Sequence, residues 1–140
     1  MTEEKAFQLK FWTGFKDQVI QNNWNLRVEK VTPKPKYYYD IRFGYAGIHL
    51  SLHLQQQLVL TGLYIELEHR EAYRQLYRHR KEIETILGPI QWIESTPNNV
   101  SRLIQSVSID WQDEATWPLA YNWLAIKSYN FQEVTKGCLE

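Results

Sequence analysis

Hydrophobic positions along this chain change their period from element to element, and the changes outline a fold. From Glu4 to about Asn23, Phe7, Phe11 or Trp12, Phe15 and Val19 recur at helical spacing, while Lys5, Lys10, Lys16 and Asp17 fall off that stripe. Asn22-Asn23 should end this helix, and Pro33 and Pro35 in "TPKPK" predict an extended connector. The period then drops to two. Tyr39, Ile41 and Phe43 alternate with Tyr38, Asp40 and Arg42 across Tyr37–Gly44. Beyond the turn "GYAG", Ile48, Leu50, Leu52 and Leu54 alternate with His49, Ser51 and His53. Beyond "QQQ", Val59, Leu63, Ile65 and Leu67 alternate with Tyr64, Glu66 and Glu68. Such patterning with short turns predicts an antiparallel meander with one buried face.

Helical spacing returns from Glu68 to Leu87, with Ala72, Leu76, Ile83 and Leu87 apolar, and Gly88-Pro89 stops it. Two shorter strands, "IQWIE" and "RLIQSVSID", follow around the turn signal "TPNN". In the second, Leu103, Val107 and Ile109 alternate with Arg102, Ser106 and Ser108. Asp113 to about Lys136 is the last helix, with Asp113 or Thr116 as N-cap and Trp117-Pro118 at its opening. The predicted order is α-βββ-α-ββ-α. This is an α+β fold, a mainly antiparallel sheet with helices on one side, read as a single domain over residues 1–140.

The first candidate chemistry is the pair His49 and His53 in "GIHLSLHL". On a helix, residues four apart can share a metal ion. On a strand they share a face but sit roughly 13 Å apart, too far for two ligand bonds of about 2 Å. The leucine alternation makes this a strand, so no metal is expected at the pair. Keeping the apolar residues on one face pairs Ile41 with Leu50, Arg42 with His49, Asp40 with Ser51, Tyr64 with His49 and Gly62 with Ser51. The other face then gathers Asp40, Arg42, His49, Ser51, His53, Tyr64 and Glu66. That is either a solvated sheet face or a ligand-binding surface, with Arg42 suited to a carboxylate or phosphate. No catalytic residue is assigned, because no third group orients His49 beside Ser51.

Two weaker constellations remain. Arg70, Arg74, Arg78 and Lys81 line one side of the second helix, a stripe that phosphates could use, although Glu71, Glu82 and Glu84 interrupt it. Asp40 with Glu66 and Glu68 is similar to the acidic set of restriction-endonuclease-like nucleases, but Glu68 stands where those sites place a lysine. There is no Gly-rich phosphate loop, no Cys/His metal spacing and no nucleophile elbow, so no cofactor is expected.

Composition narrows the classes further. The 140 residues carry 16 Lys+Arg against 16 Asp+Glu, a formal net charge of +0. That balance does not support a dedicated nucleic-acid binder. The one cysteine, Cys138, excludes a Cys-rich zinc module and suits a reducing compartment. "MTEEKAFQLK" lacks the apolar run of a signal peptide, and no stretch approaches a bilayer span, so a cytoplasmic, non-membrane protein is expected. Aromatic residues reach 14%, which either fills the core or supplies an interface.

In "FWTGFKD", "GIHLSLHL", "GLYIELEH", "LYRHRKEIETILG" followed by "IQW", and "WPLAYNWL", the chain resembles DUF4268, a bacterial and archaeal family of unknown function. The resemblance runs through nearly the whole chain in order. It implies an association with nuclease or restriction-modification modules, to which members often lie C-terminal. No functional residues come with it. The expected function is a non-enzymatic binding or interaction domain, self-associating through aromatic surface, with a protein as partner or, although the net charge does not support it, nucleic acid, and with an accessory role in nucleic-acid defence or repair. The alternative is an unusual metal-dependent nuclease.

Overall fold

In the computed structural model, residues 1–95 and 100–140 are described, and the "TPNN" turn expected between the last two strands lies outside them. Helix α1 (Glu3–Gln21) starts where Thr2 accepts a hydrogen bond from the Lys5 amide at 3.2 Å. Glu3 and Glu4 occupy its first turn, where the helix dipole favours acidic groups. It stops at Asn22, and Asn23 adopts a left-handed φ of 53°, a conformation asparagine tolerates better than most residues.

Strands β1 (Tyr38–Arg42), β2 (Ile48–Gln55) and β3 (Leu58–Ile65) form the expected meander. Their pairing is Ile41 to Leu50, Arg42 to His49, Asp40 to Ser51, His49 to Tyr64 and Ser51 to Gly62, as the alternation requires. Leu67 and Glu68 leave the strand and lie in a 3-10 turn (Leu67–His69). The single helix expected over Glu68–Leu87 is two: α2 (Arg70–Arg78) and α3 (Arg80–Leu87). No glycine or proline marks the break. His79 ends α2 with a tight bond from its amide to the Leu76 carbonyl at 3.0 Å, and its own carbonyl accepts from Ile83. The Arg80 guanidinium folds back over the Tyr77 ring, 4.2 Å from its centroid. The break still leaves Tyr73, Leu76, Ile83 and Leu87 in the core.

Two strands complete the sheet: β4 (Gln91–Ile93) and β5 (Ser101–Val107). The strand order is β1-β2-β3-β5-β4, so β5 lies directly against β3 and short β4 forms the edge. All pairings are antiparallel. Asp113 caps a 3-10 turn at Glu114–Thr116, accepting from the Ala115 amide at 3.0 Å, and α4 (Trp117–Leu139) follows with Pro118 in its first turn.

The helices share one face of the sheet. Helix α4 packs across β2 and β3, α2 meets β3 and β5, and α1 lies against α4. Trp12 of α1 stacks on Tyr39 of β1 at 5.4 Å between centroids. Aromatic rings build much of the core between these layers, including Phe11, Trp12, Phe15, Trp111 and Phe131. Their polar tips are spent on backbone carbonyls: Trp12 Nε1 donates to Lys36 at 2.9 Å, Tyr39 Oη to Val31 at 2.9 Å and Trp111 Nε1 to Gln55 at 2.6 Å. These bonds pin the connectors to the core. Much of the aromatic content therefore serves packing, and among the described residues Tyr37 and Tyr77 are the exposed Phe, Tyr or Trp rings. Among the described residues, no helix is long and apolar enough to cross a membrane.

Candidate functional site on the open sheet face

With every helix on one side, the other face of the sheet is left to its own side chains. Three cross-strand rows can be read from the register. Arg42, His49, Tyr64 and Arg102 form one. Asp40, Ser51, Gly62 and Ile104 form the next, and Tyr38, His53, Leu60 and Ser106 the third. The middle row contains a gap, because Gly62 contributes no side chain where its neighbours rise. Around that gap lies a concavity of about 490 Å³, lined by Tyr38, Asp40, Ser51, His53, Tyr64 and Arg102 among others. Its size falls in the range of roughly 300–1,000 Å³ usual for small-ligand sites.

A chain of hydrogen bonds fixes the polar groups. Ser51 Oγ lies 2.5 Å from Asp40 Oδ1 and 2.8 Å from His53 Nε2. A carboxylate can only accept, so the serine proton is directed at Asp40 and the serine oxygen accepts from His53 Nε2–H. His49 Nε2 approaches Asp40 Oδ2 at 3.5 Å, and its buried Nδ1 has no partner among the described residues. Rings flank the chain: His53 sits 5.4 Å from both Tyr37 and Tyr64, and His49 sits 5.8 Å from Tyr64. Arg102 places its guanidinium 5.8 Å from the Tyr64 centroid, and its buried Nε lacks a partner among the described residues.

Burial holds both histidines below the usual imidazole pKa. For His49, Asp40 pulls upward, Arg42 downward and Glu66 upward. For His53, Asp40 pulls upward while Arg102 and His49 push downward. Desolvation prevails in each case, so both rings are neutral at pH 7. A folded-state pKa below the unfolded one means that the unfolded chain binds more protons as pH falls. The stability present above the ordinary imidazole value of about 6.5 is then lost on acidification through it. Urea midpoints should fall between about pH 7.5 and about pH 5.5, with a slope of at most about 1.4 kcal/mol per pH unit for each withheld proton. The fall should shrink when His53 is replaced by Gln. A midpoint that holds steady or rises on acidification would contradict the assignment.

Six of the seven residues expected on this face lie within its strands: Asp40, Arg42, His49, Ser51, His53 and Tyr64. Glu66 falls just beyond β3, where its amide donates to the Gly47 carbonyl at 2.8 Å, yet its charge still reaches His49. The acidic set imagined for a nuclease does not assemble. Glu66 lies past the end of the ladder and Glu68 in the 3-10 turn, because the chain must turn there to enter α2. Among the described residues, no group of three or more His, Cys, Asp or Glu side chains is arranged to hold a metal ion.

The basic stripe is divided as well. Arg70, Arg74 and Arg78 lie on α2, whereas Lys81 lies on α3. Arg78 pairs with Glu71 at 2.8 Å, and Arg74 with Glu94 at 3.3 Å and Glu71 at 3.9 Å. These pairs are solvent-exposed and add little stability, but they cancel much of the local charge.

Sequence reasoning left Arg102, Tyr37 and Tyr38 out of the site. Arg102 alternates with Leu103 and so shares the polar parity. Only the placement of β5 beside β3 brings it opposite Tyr64.

One sequence profile, described as a domain of unknown function (DUF4268), matches residues 7–139. The chain belongs to this family. No curated protein and no solved structure matches it. The match spans all five strands, α2 and α3, all of α4 and most of α1.

Proposed function

We propose that this DUF4268 chain is a non-enzymatic recognition domain that receives its ligand on the open face of its sheet. The observation that carries the reading is the concavity on that face, lined by Asp40, Ser51, His53 and Tyr64 together with Arg102, whose buried Nε has no partner among the described residues. The proton order along Asp40, Ser51 and His53 supports binding over catalysis. A serine whose oxygen accepts from an imidazole N–H has no imidazole base to activate it as a nucleophile. An accessory role in nucleic-acid defence or repair rests on the family resemblance and agrees with a domain that recognises without reacting.

The four histidines provide the test. His49 and His53 lie on the open face, His69 packs against Gly47 and His79 is exposed at the α2–α3 break. Ring resonances should be followed while a mixture of small ring-bearing acids, amines and amides is added. His49 and His53 should shift first, and His69 and His79 should stay in place. First movement at His79, or none at His49 and His53 with any probe, would remove the open face as the binding surface.

A further inference from the structure

The open face offers three kinds of recognition within one concavity, and together they specify a ligand class. The first is a cation held in place. Arg102 makes no ion pair among the described residues, and its Nε is buried without a partner. An oxyanion with two or more oxygens fits the guanidinium fork, and with both histidines neutral it meets no other fixed cation inside the pocket.

The second is a set of ring platforms. Tyr37, Tyr64 and His53 stand around the gap left by Gly62, and Tyr37 is 52% exposed. Flat π-faces projecting from a sheet are suited to stacking a heterocycle, a contact indifferent to the details of the ring.

The third is an acceptor. Asp40 gives Oδ1 to Ser51, while Oδ2 has only the long 3.5 Å contact to His49 and the side chain is 41% exposed. A carboxylate oxygen with free lone pairs calls for an N–H donor on the ligand. A plain aromatic acid satisfies the first two demands but leaves Asp40 facing an electron-rich edge. A ring that carries both an amino group and a phosphate satisfies all three.

We infer that the concavity over Gly62 is a subsite for a nucleoside monophosphate unit, its ring among Tyr37, Tyr64 and His53, its N–H edge toward Asp40 and its phosphate on Arg102. This rests on the open-face reading and narrows it. The same chemistry is presented by a free nucleotide and by one nucleotide of a single strand. Three strand steps of about 4.8 Å separate Asp40 from Ile104, which leaves room for one such unit across the face.

Titrations of the full chain with adenosine 5′-monophosphate, adenosine, inorganic phosphate and an adenylate octamer, read by the His49 and His53 resonances, decide the matter. The monophosphate should bind at least tenfold more tightly than adenosine, and its affinity alone of those two should weaken with added salt. Arg102→Gln should erase that advantage, and a urea midpoint close to that of the unaltered chain shows that the variant is folded. Arg102→Lys should retain part of the advantage. An octamer that binds far more tightly than the monomer, with a steeper salt dependence, identifies a single strand as the source. Equal affinities identify a free nucleotide. Equal binding of monophosphate and adenosine by the unaltered chain would overturn the inference, as would an Arg102→Gln variant that keeps the advantage. If ring-bearing probes of other classes, or a peptide, move His49 and His53 while nucleotides do not, the nucleotide subsite fails and the open-face reading survives. If nothing moves them, both fail.

Discussion

Gly62→Ala is expected to destabilise the protein by about 3 kcal/mol or more, an unusually large loss for the addition of one methyl group. The backbone at Gly62 is not left-handed, so alanine meets no conformational penalty there. The obstacle is the neighbouring strand. A Cβ on Gly62 would lie 1.9 Å from the Leu103 carbonyl oxygen and 2.9 Å from its carbonyl carbon, where ordinary contact begins at about 3.5 Å. Both obstacles are backbone and cannot swing aside. β3 and β5 would have to part in the middle of a ladder that runs from Val59–Val107 to Ile65–Ser101. A glycine inside a strand often marks such a close approach. The urea midpoint should therefore drop sharply, with the slope unchanged if the native state stays compact. Gly137→Ala is the matched control. Gly137 lies near the end of α4 with nothing within 4 Å of an added Cβ, so the same substitution should stabilise there by a few tenths of a kcal/mol. A loss below about 1 kcal/mol at Gly62 would show that the two strands are not held as close as the structure has them. The requirement also bears on function, since Gly62 sits between Ser51 and Ile104, two residues that line the concavity.

The parts of this site legible in the sequence are those set by parity. Tyr39 and Ile41, Leu50 and Leu52, and Leu63 and Ile65 must share a face, and that condition alone aligns Arg42, His49 and Tyr64. Parity extends to β5 too, and it places Arg102 on the polar side. It does not say which strand β5 joins. With an α2–α3 excursion between them, β4 and β5 could each have met β3, and the chain uses the later one. Arg102 thus reaches Tyr64 through a choice of neighbour made by long-range packing. The α2–α3 break was invisible for another reason. The spacing of Leu76, Ile83 and Leu87 suits one continuous helix as well as two short ones, and no residue in between resists helix. The proton order among Asp40, Ser51 and His53 depends on distances of a few tenths of an ångström, which no residue pattern encodes.

Gly14→Ala should go against helix propensity. Alanine within a helix is favoured over glycine by about 1 kcal/mol, so on local grounds α1 should gain from the change. Here the helix is not alone. An added Cβ would lie 2.3 Å from Tyr121 Oη and 3.1 Å from Cζ. The hydroxyl is there because it donates to the Phe11 carbonyl at 2.8 Å, which joins α4 to α1. The ring cannot easily retreat, since it is 5% exposed and packs against Phe11 and Phe15 at centroid distances of 4.9 and 5.9 Å. Burial, reinforced by Asp17 and Glu114, raises its pKa, so at neutral pH it remains a protonated donor. Overpacking of this kind costs about 1–3 kcal/mol and the displaced hydrogen bond about 1 more, so a net loss of about 2 kcal/mol is expected after the propensity gain. A double-mutant cycle isolates the cause. Tyr121→Phe alone should lose about 1 kcal/mol. In combination it removes the atom at 2.3 Å and leaves Cζ at 3.1 Å and Cε2 at 3.4 Å, so the pair should lose clearly less than the sum of the singles, with a coupling of about 1–2 kcal/mol. Additive losses would place the cost of Gly14→Ala elsewhere, and a stabilised Gly14→Ala would mean that α1 and α4 do not approach as closely as this contact requires.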